Sequence, residues 1–258
     1  MPNPAQRIAE VITFPARTAG SAVQSAANGT VRQVLAWTAN EVDDWGRDPG
    51  FVNRVWSASR LRWTTSVGGL DQLPKRSGAL IVVNARRFAL APVMAALSIG
   101  HASGRAVRFI GRPDVAPLGP VMQRLGGLLP IEAEIEGVLR AGEIVVLGAN
   151  HETDNTVTGL VDHRLVGAAV AAKATVLPAA VISVAMRRDA RVEIGKPIRL
   201  TRPRRGPLAE LEIADIAQAR IDALLDELGG TLTGPFDWLP IDWLPVDRLR
   251  GISKVVGI

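Results

Sequence analysis

The sequence predicts an α/β domain: a mostly parallel central sheet flanked by helices, with helices before it and a tryptophan- and proline-rich arm after it. Three observations carry that expectation. Residues 79–83 (Ala-Leu-Ile-Val-Val) form an uninterrupted apolar run suited to a strand buried on both faces. Residues 143–147 (Glu-Ile-Val-Val-Leu) form a second, apolar after its first residue. Between and around them, stretches of helical spacing alternate with short apolar runs, the pattern of strand–helix–strand units that build parallel sheets.

Residues 1–60 read as a helical segment. A short amphipathic pattern over 5–12 breaks at Pro15, and 21–45 carries Val31, Val34, Leu35, Thr38 and Val42 at helical spacing. After the Asp48-Pro49-Gly50 turn, Val52, Val55, Trp56 and Ser59 mark a third helix. These helices are expected to cover the domain's edge rather than lie on a membrane. The α/β domain is expected over 61–230. Its strands fall at 63–67, 79–83, 106–110, 143–147, 176–181 and 191–194, and its helices at 92–99, 118–125, 136–140, 165–173 and 208–228. Gly229-Gly230 stops the last. The arm, 231–258, repeats Asp-Trp-Leu-Pro with proline at every fifth position, which forbids a regular helix. Packing of this arm across its own domain is favoured over contact of 236–258 with a membrane interface.

Composition narrows the chemistry. Of 258 residues 47% are apolar, which suits a folded domain, and there is no cysteine, so disulfides and thiolate nucleophiles are excluded. Three histidines (His101, His151, His163) argue against a histidine-rich metal site, and none is expected. The net charge of +5 is carried almost wholly by arginine, whose planar fork suits phosphate, carboxylate or an anionic lipid surface. With few aromatics, no tyrosine and no basic helix, nucleic-acid binding is not expected. No secretory signal or membrane-spanning run is read from the sequence. The expected location is the cytoplasm, with peripheral contact on the inner face of the membrane as its extension.

Six ordered blocks carry a family resemblance. They are Gly69-Leu70-Asp71-Gln72-Leu73-Pro74 with Gly78, then Leu80-Ile81-Val82-Val83-Asn84, then Val107-Arg108-Phe109-Ile110 with Pro117-Leu118-Gly119. After these come 139–147, then Gly167-Ala168-Ala169 with 176–181, and last Val192-Glu193-Ile194-Gly195-Lys196-Pro197-Ile198. Over 67–198 the chain resembles the lysophospholipid acyltransferase superfamily, especially its actinobacterial and diacylglycerol-acyltransferase-like branches. The segment Val42-Asp43-Asp44-Trp45-Gly46-Arg47-Asp48-Pro49 is similar to the approach in the actinobacterial branch.

That resemblance implies a glycerolipid acyltransferase-like fold. It also implies a histidine base that takes the acceptor hydroxyl's proton, oriented by an aspartate, with acyl-CoA or acyl carrier protein as donor. The sequence departs from the pattern where the chemistry would sit. Ala85 stands in the histidine's place, and the aspartate spacings fall on Leu90 or Pro92. The Pro-Glu-Gly block reads Gly148-Ala149-Asn150-His151, and no arginine follows 126–131. The framework matches and the reactive positions do not, as expected of an inactive relative that binds an acyl lipid, a lipid head group or a partner protein, with no cofactor. The alternative is an active enzyme with a relocated base, His151, oriented by Asp154. The ligand-binding candidates are Asn84, Ala85, Arg86, Arg87, Arg112, Gly148, Ala149, Asn150 and His151, with Arg108 joining a basic mouth. Arg199, Arg202, Arg204 and Arg205 read as a solvated loop, and His101 and His163 as helix-end residues.

Overall fold

A computed structural model describes residues 42–85, 90–113, 118–149, 160–183, 188–199 and 206–229. The chain divides into residues 1–41 and 42–258, and everything described belongs to the second unit. The N-terminal helices before residue 42, the arm at 231–258, Arg86, Arg87, Asn150, His151 and Asp154 lie outside the described residues.

Helix α1 (Pro49–Ser59) opens on Asp48, whose carboxylate accepts from Phe51 N–H at 2.9 Å, with Pro49 in the first turn. Strand β1 (Thr64–Gly68) and a single 3₁₀ turn (Leu70–Gln72) lead to β2 (Ala79–Asn84). Then follow α2 (Ala91–Ser103), β3 (Val107–Ile110), α3 (Leu118–Arg124), β4 (Gly127–Leu128), α4 (Glu132–Arg140), β5 (Ile144–Ala149) and α5 (His163–Ala171). Strands β6 (Thr175–Ser183) and β7 (Asp189–Ile194) precede the long α6 (Pro207–Glu227).

The seven strands make one sheet in the order β1-β7-β6-β2-β5-β3-β4. Every pair is parallel except β6 with β7. The expected mostly parallel α/β architecture is therefore the observed one. Both apolar runs sit at its centre, and all six residues of β2 and of β5 are buried, as a two-sided strand requires. Leu80, Val82, Val145 and Leu147 face α4, α5 and α6, which bring Ile135, Val166 and Ile221 into one core. The alternate residues point to the opposite face, where α2 packs.

Two consequences of topology position the candidate site. Because β7 is antiparallel to β6 and β1 is parallel to β7, β1 runs opposite to β2. The start of β1 therefore lies at the edge where β2, β5 and β3 end. Helix α2 also starts at that edge and runs back, ending at Gly104, whose left-handed φ of 67° closes the helix before β3.

Candidate functional site

The edge formed by the carboxyl ends of the parallel strands is where open α/β sheets bind ligands. At the end of β2, Asn84 is buried and its amide works as a piece of backbone. Its Nδ2 donates to Val181 O at 2.9 Å, and its Oδ1 accepts from Val181 N–H at 2.7 Å. The β2–β6 ladder has its last Cα pairing at Val83 and Ala179, so Asn84 satisfies the backbone of β6 beyond it. Asn84 thus belongs to the sheet's construction.

Ala85 follows, 4% exposed, its N–H donating to Ala149 O. Its surroundings are apolar and closed. A Cβ added at Gly148 would stand 2.8 Å from Ala85 Cβ and 2.8 Å from Pro92 Cγ, so these three residues are packed together. The sequence's two alternatives for the orienting residue thus separate. Pro92 is buried beside Ala85, whereas Leu90, the residue before α2, is 39% exposed. Positions 85 and 92, which the sequence resemblance gives to a base and its orienter, are adjacent in space, and both carry only carbon side chains. Ala149, fully buried as the last residue of β5, completes this wall.

Of the arginines expected to form a basic mouth, Arg108 and Arg112 are described. Arg108 is 0% exposed and sits within β3, not at its end. Its guanidinium pairs with Glu143 and, at 2.7 Å, with Asp43. Burial alone would lower its pKa, but the hydrogen bonds it donates to Glu143 and Asp43 raise it above the usual arginine value. Burial likewise opposes ionisation of Asp43, yet Arg108 and the N–H groups of Arg47 and Trp45 hold its carboxyl below the usual range. Arg108 is therefore a structural cation. Arg112, two residues beyond β3, does lie at the carboxyl edge. Among the described residues its guanidinium has no hydrogen-bond or ion-pair partner.

One element of the site escaped the sequence. An apolar groove of about 140 Å³ lies between α1, α2 and β1, walled by Trp56, Trp63, Leu90, Val93, Met94 and Leu97. Trp63 and Thr65 stand at the start of the reversed β1, which places this end of the groove at the same edge as Ala85. Helix α1 and the start of β1 precede α2 in sequence by some thirty residues, and the reversed direction of β1 sets its first residues beside the start of α2. A wider groove of about 580 Å³ between β7 and α6 carries three carboxylates, Asp71, Glu193 and Glu227, beside two cations, Lys196 and Arg220. Among the described residues no group of acidic or histidine side chains could hold a metal ion.

By sequence, the chain matches no family model and no curated protein. By structure it is similar to the crystal structure of the 1-acyl-sn-glycerophosphate (LPA) acyltransferase, PlsC, from Thermotoga maritima. The TM-score is 0.51 at 12% identity, covering 78% of this chain and 89% of that one. At that identity the likeness establishes the fold, which is acyltransferase-like.

Proposed function

We propose that this chain is a member of the lysophospholipid acyltransferase superfamily that binds an acyl lipid and does not transfer the acyl group. The observation that carries the reading is the packing of Ala85 against Gly148 and Pro92. Acyl transfer to a hydroxyl needs a group that accepts the hydroxyl proton as the carbon–oxygen bond forms. Alanine accepts none, and neither Leu90 nor Pro92 can orient a base placed elsewhere. Loss of a general base alone typically costs about 10²–10⁴-fold.

Binding does not need that base. The groove beside α2 offers an acyl chain an apolar lining, and each methylene buried there contributes about 0.8 kcal/mol. Arg112, without a partner at the same edge, suits a phosphate or carboxylate head group. No cofactor is required, and acyl-CoA or acyl carrier protein would not be consumed. Among the described residues no helix is long and apolar enough to cross a membrane, so contact with lipid is proposed as peripheral. A protein partner seated at this edge belongs to the same proposal.

The test is to incubate the purified protein with long-chain acyl-CoA and lysophosphatidic acid. Thiol release is measured, and bound lipid is identified by native mass spectrometry. The expected result is no thiol release, a retained lipid, and loss of that lipid in Val93→Phe, which fills the groove. Turnover that disappears in His151→Ala would overturn the inactive reading in favour of a relocated base. Neither turnover nor retained lipid would overturn the binding reading.

A further inference from the structure

At the other end of α2, on the amino-terminal edge of the sheet, lies a second cavity of about 300 Å³. Its polar lining is Arg47, Asn53, His101 and Arg105, and no carboxylate lines it among the described residues. Trp56 stands in its wall, its ring 4.8 Å from that of His101.

The charges around Arg47 explain what this cavity lacks. Three arginines and three carboxylates meet here. Arg108 takes both Asp43 and Glu143, and Arg124 takes Asp48 at 2.9 Å. The same carboxylates are further occupied: Asp43 accepts from the N–H groups of Trp45 and Arg47, and Asp48 from that of Phe51. Arg47 is left over. Among the described residues its guanidinium makes no hydrogen bond or ion pair, and its Nε is buried. Burial and the neighbouring charge of Arg108 both lower its pKa, against the pull of Asp43, Glu143 and Asp48. Its stem runs past Gly126, Cδ lying 3.3 Å from where a Cβ on that glycine would stand. The nearby carboxylates balance its charge at a distance, but a buried guanidinium nitrogen with no direct acceptor is costly unless something supplies one.

Arg105 cannot serve as the missing partner, and it is itself satisfied. It donates to the carbonyls of Pro74, Ser77 and Gly142, which ties three loops together beneath the cavity. It still adds positive potential to the lining.

We propose that this cavity is a binding site for a phosphate monoester, with Arg47 as its principal ligand, on the opposite sheet edge from Ala85. The planar fork of Arg47 matches two phosphate oxygens, and Asn53 and His101 offer further donors. The site is separate from the acyl groove but shares Trp56 and Leu97 with it as a common wall.

The experiment titrates the full chain with glycerol 3-phosphate and inorganic phosphate by calorimetry, and with phosphatidylcholine vesicles with and without phosphatidic acid by co-sedimentation. Arg47→Gln, Arg47→Lys and, as an exposed control that lines neither cavity, Arg191→Gln are compared with the native chain. Saturable binding that weakens at least about tenfold in Arg47→Gln, less in Arg47→Lys, and not in Arg191→Gln supports the site. If that pattern appears with soluble phosphate esters, the ligand is a small molecule. If it appears only with phosphatidic acid vesicles, it is a lipid head group. Binding equal in Arg47→Gln and the native chain, an equal loss in Arg191→Gln, or no binding to any probe overturns it. Thermal unfolding without phosphate supplies an independent check. Arg47→Gln should melt no lower than the native chain, because the guanidinium holds nothing, and a clear drop would contradict its being unpartnered.

Discussion

Replacing Glu143 should harm the fold more than replacing the arginine it holds. Arg108 is wholly buried, while Glu143 and Asp43 keep 19% and 31% of their side chains exposed. Glu143→Ala leaves a buried guanidinium with one carboxylate instead of two. Breaking a buried pair from one side costs about 3–5 kcal/mol, and the partial exposure of Glu143 puts this case near the lower end, about 3 kcal/mol. Arg108→Met removes the buried charge itself, together with Nη1, which has no partner. The two carboxylates left behind can reach water, so the loss should be about 1 kcal/mol or less. The gap of about 2 kcal/mol corresponds to roughly 4–8 °C in melting temperature for a domain of this size. Urea unfolding followed by circular dichroism reads both variants. Arg108→Met unfolding at the same or lower urea than Glu143→Ala would refute the reasoning. Acid adds a second arm, because the folded pKa of Asp43 lies below its ordinary 3.8. Its contribution is complete above about 4 and is lost as the pH falls through the lower folded value. The stability gap between the native chain and Asp43→Asn should therefore be level near neutrality and shrink in strong acid.

Two further outcomes follow from the packed edge. Asn84→Ala strands the buried N–H and carbonyl of Val181 and should cost about 2–4 kcal/mol in chemical unfolding, with amide exchange at Val181 accelerating before that of the central strands. Gly148→Ala places a methyl group 2.8 Å from Ala85 and Pro92 and should cost about 1–3 kcal/mol by overpacking, and an unchanged melting temperature would show that the trio is not tightly packed.

Much of the fold was legible because burial writes itself into composition. A strand with helices on both faces must be apolar at every position, and 79–83 and 143–147 are the two centre strands. Alternation of helix and strand then left few arrangements. What stayed hidden has physical reasons. Strand β4 is two residues long, Gly127–Leu128, too short for any periodicity. Helix α4 begins at Glu132, four residues before the expected start, in a first turn whose Glu132 and Glu134 favour the helix's positive end. The reversal of β1 depends on pairing partners distant in sequence, and with it went the apolar groove. Arg108 and Arg112 read alike as cations near one block. Only their register separates them, one inside a buried strand and the other two residues past its end.

Taken together, the two ends of α2 have opposite character. At its start, Ala85, Pro92 and Gly148 fit one another so closely that none can change alone. A histidine at position 85 would drive into Pro92 and the space kept open by Gly148. Placing a base there needs a new side chain and new room at once. At the helix's other end the reverse holds: Arg47 is a charged group with space beside it and no direct acceptor among the described residues. On the proposed reading, an edge closed by carbon at Ala85, Pro92 and Gly148, with the cations Arg47 and Arg112 lacking direct acceptors among the described residues, suits holding an anionic acyl lipid rather than moving its acyl group.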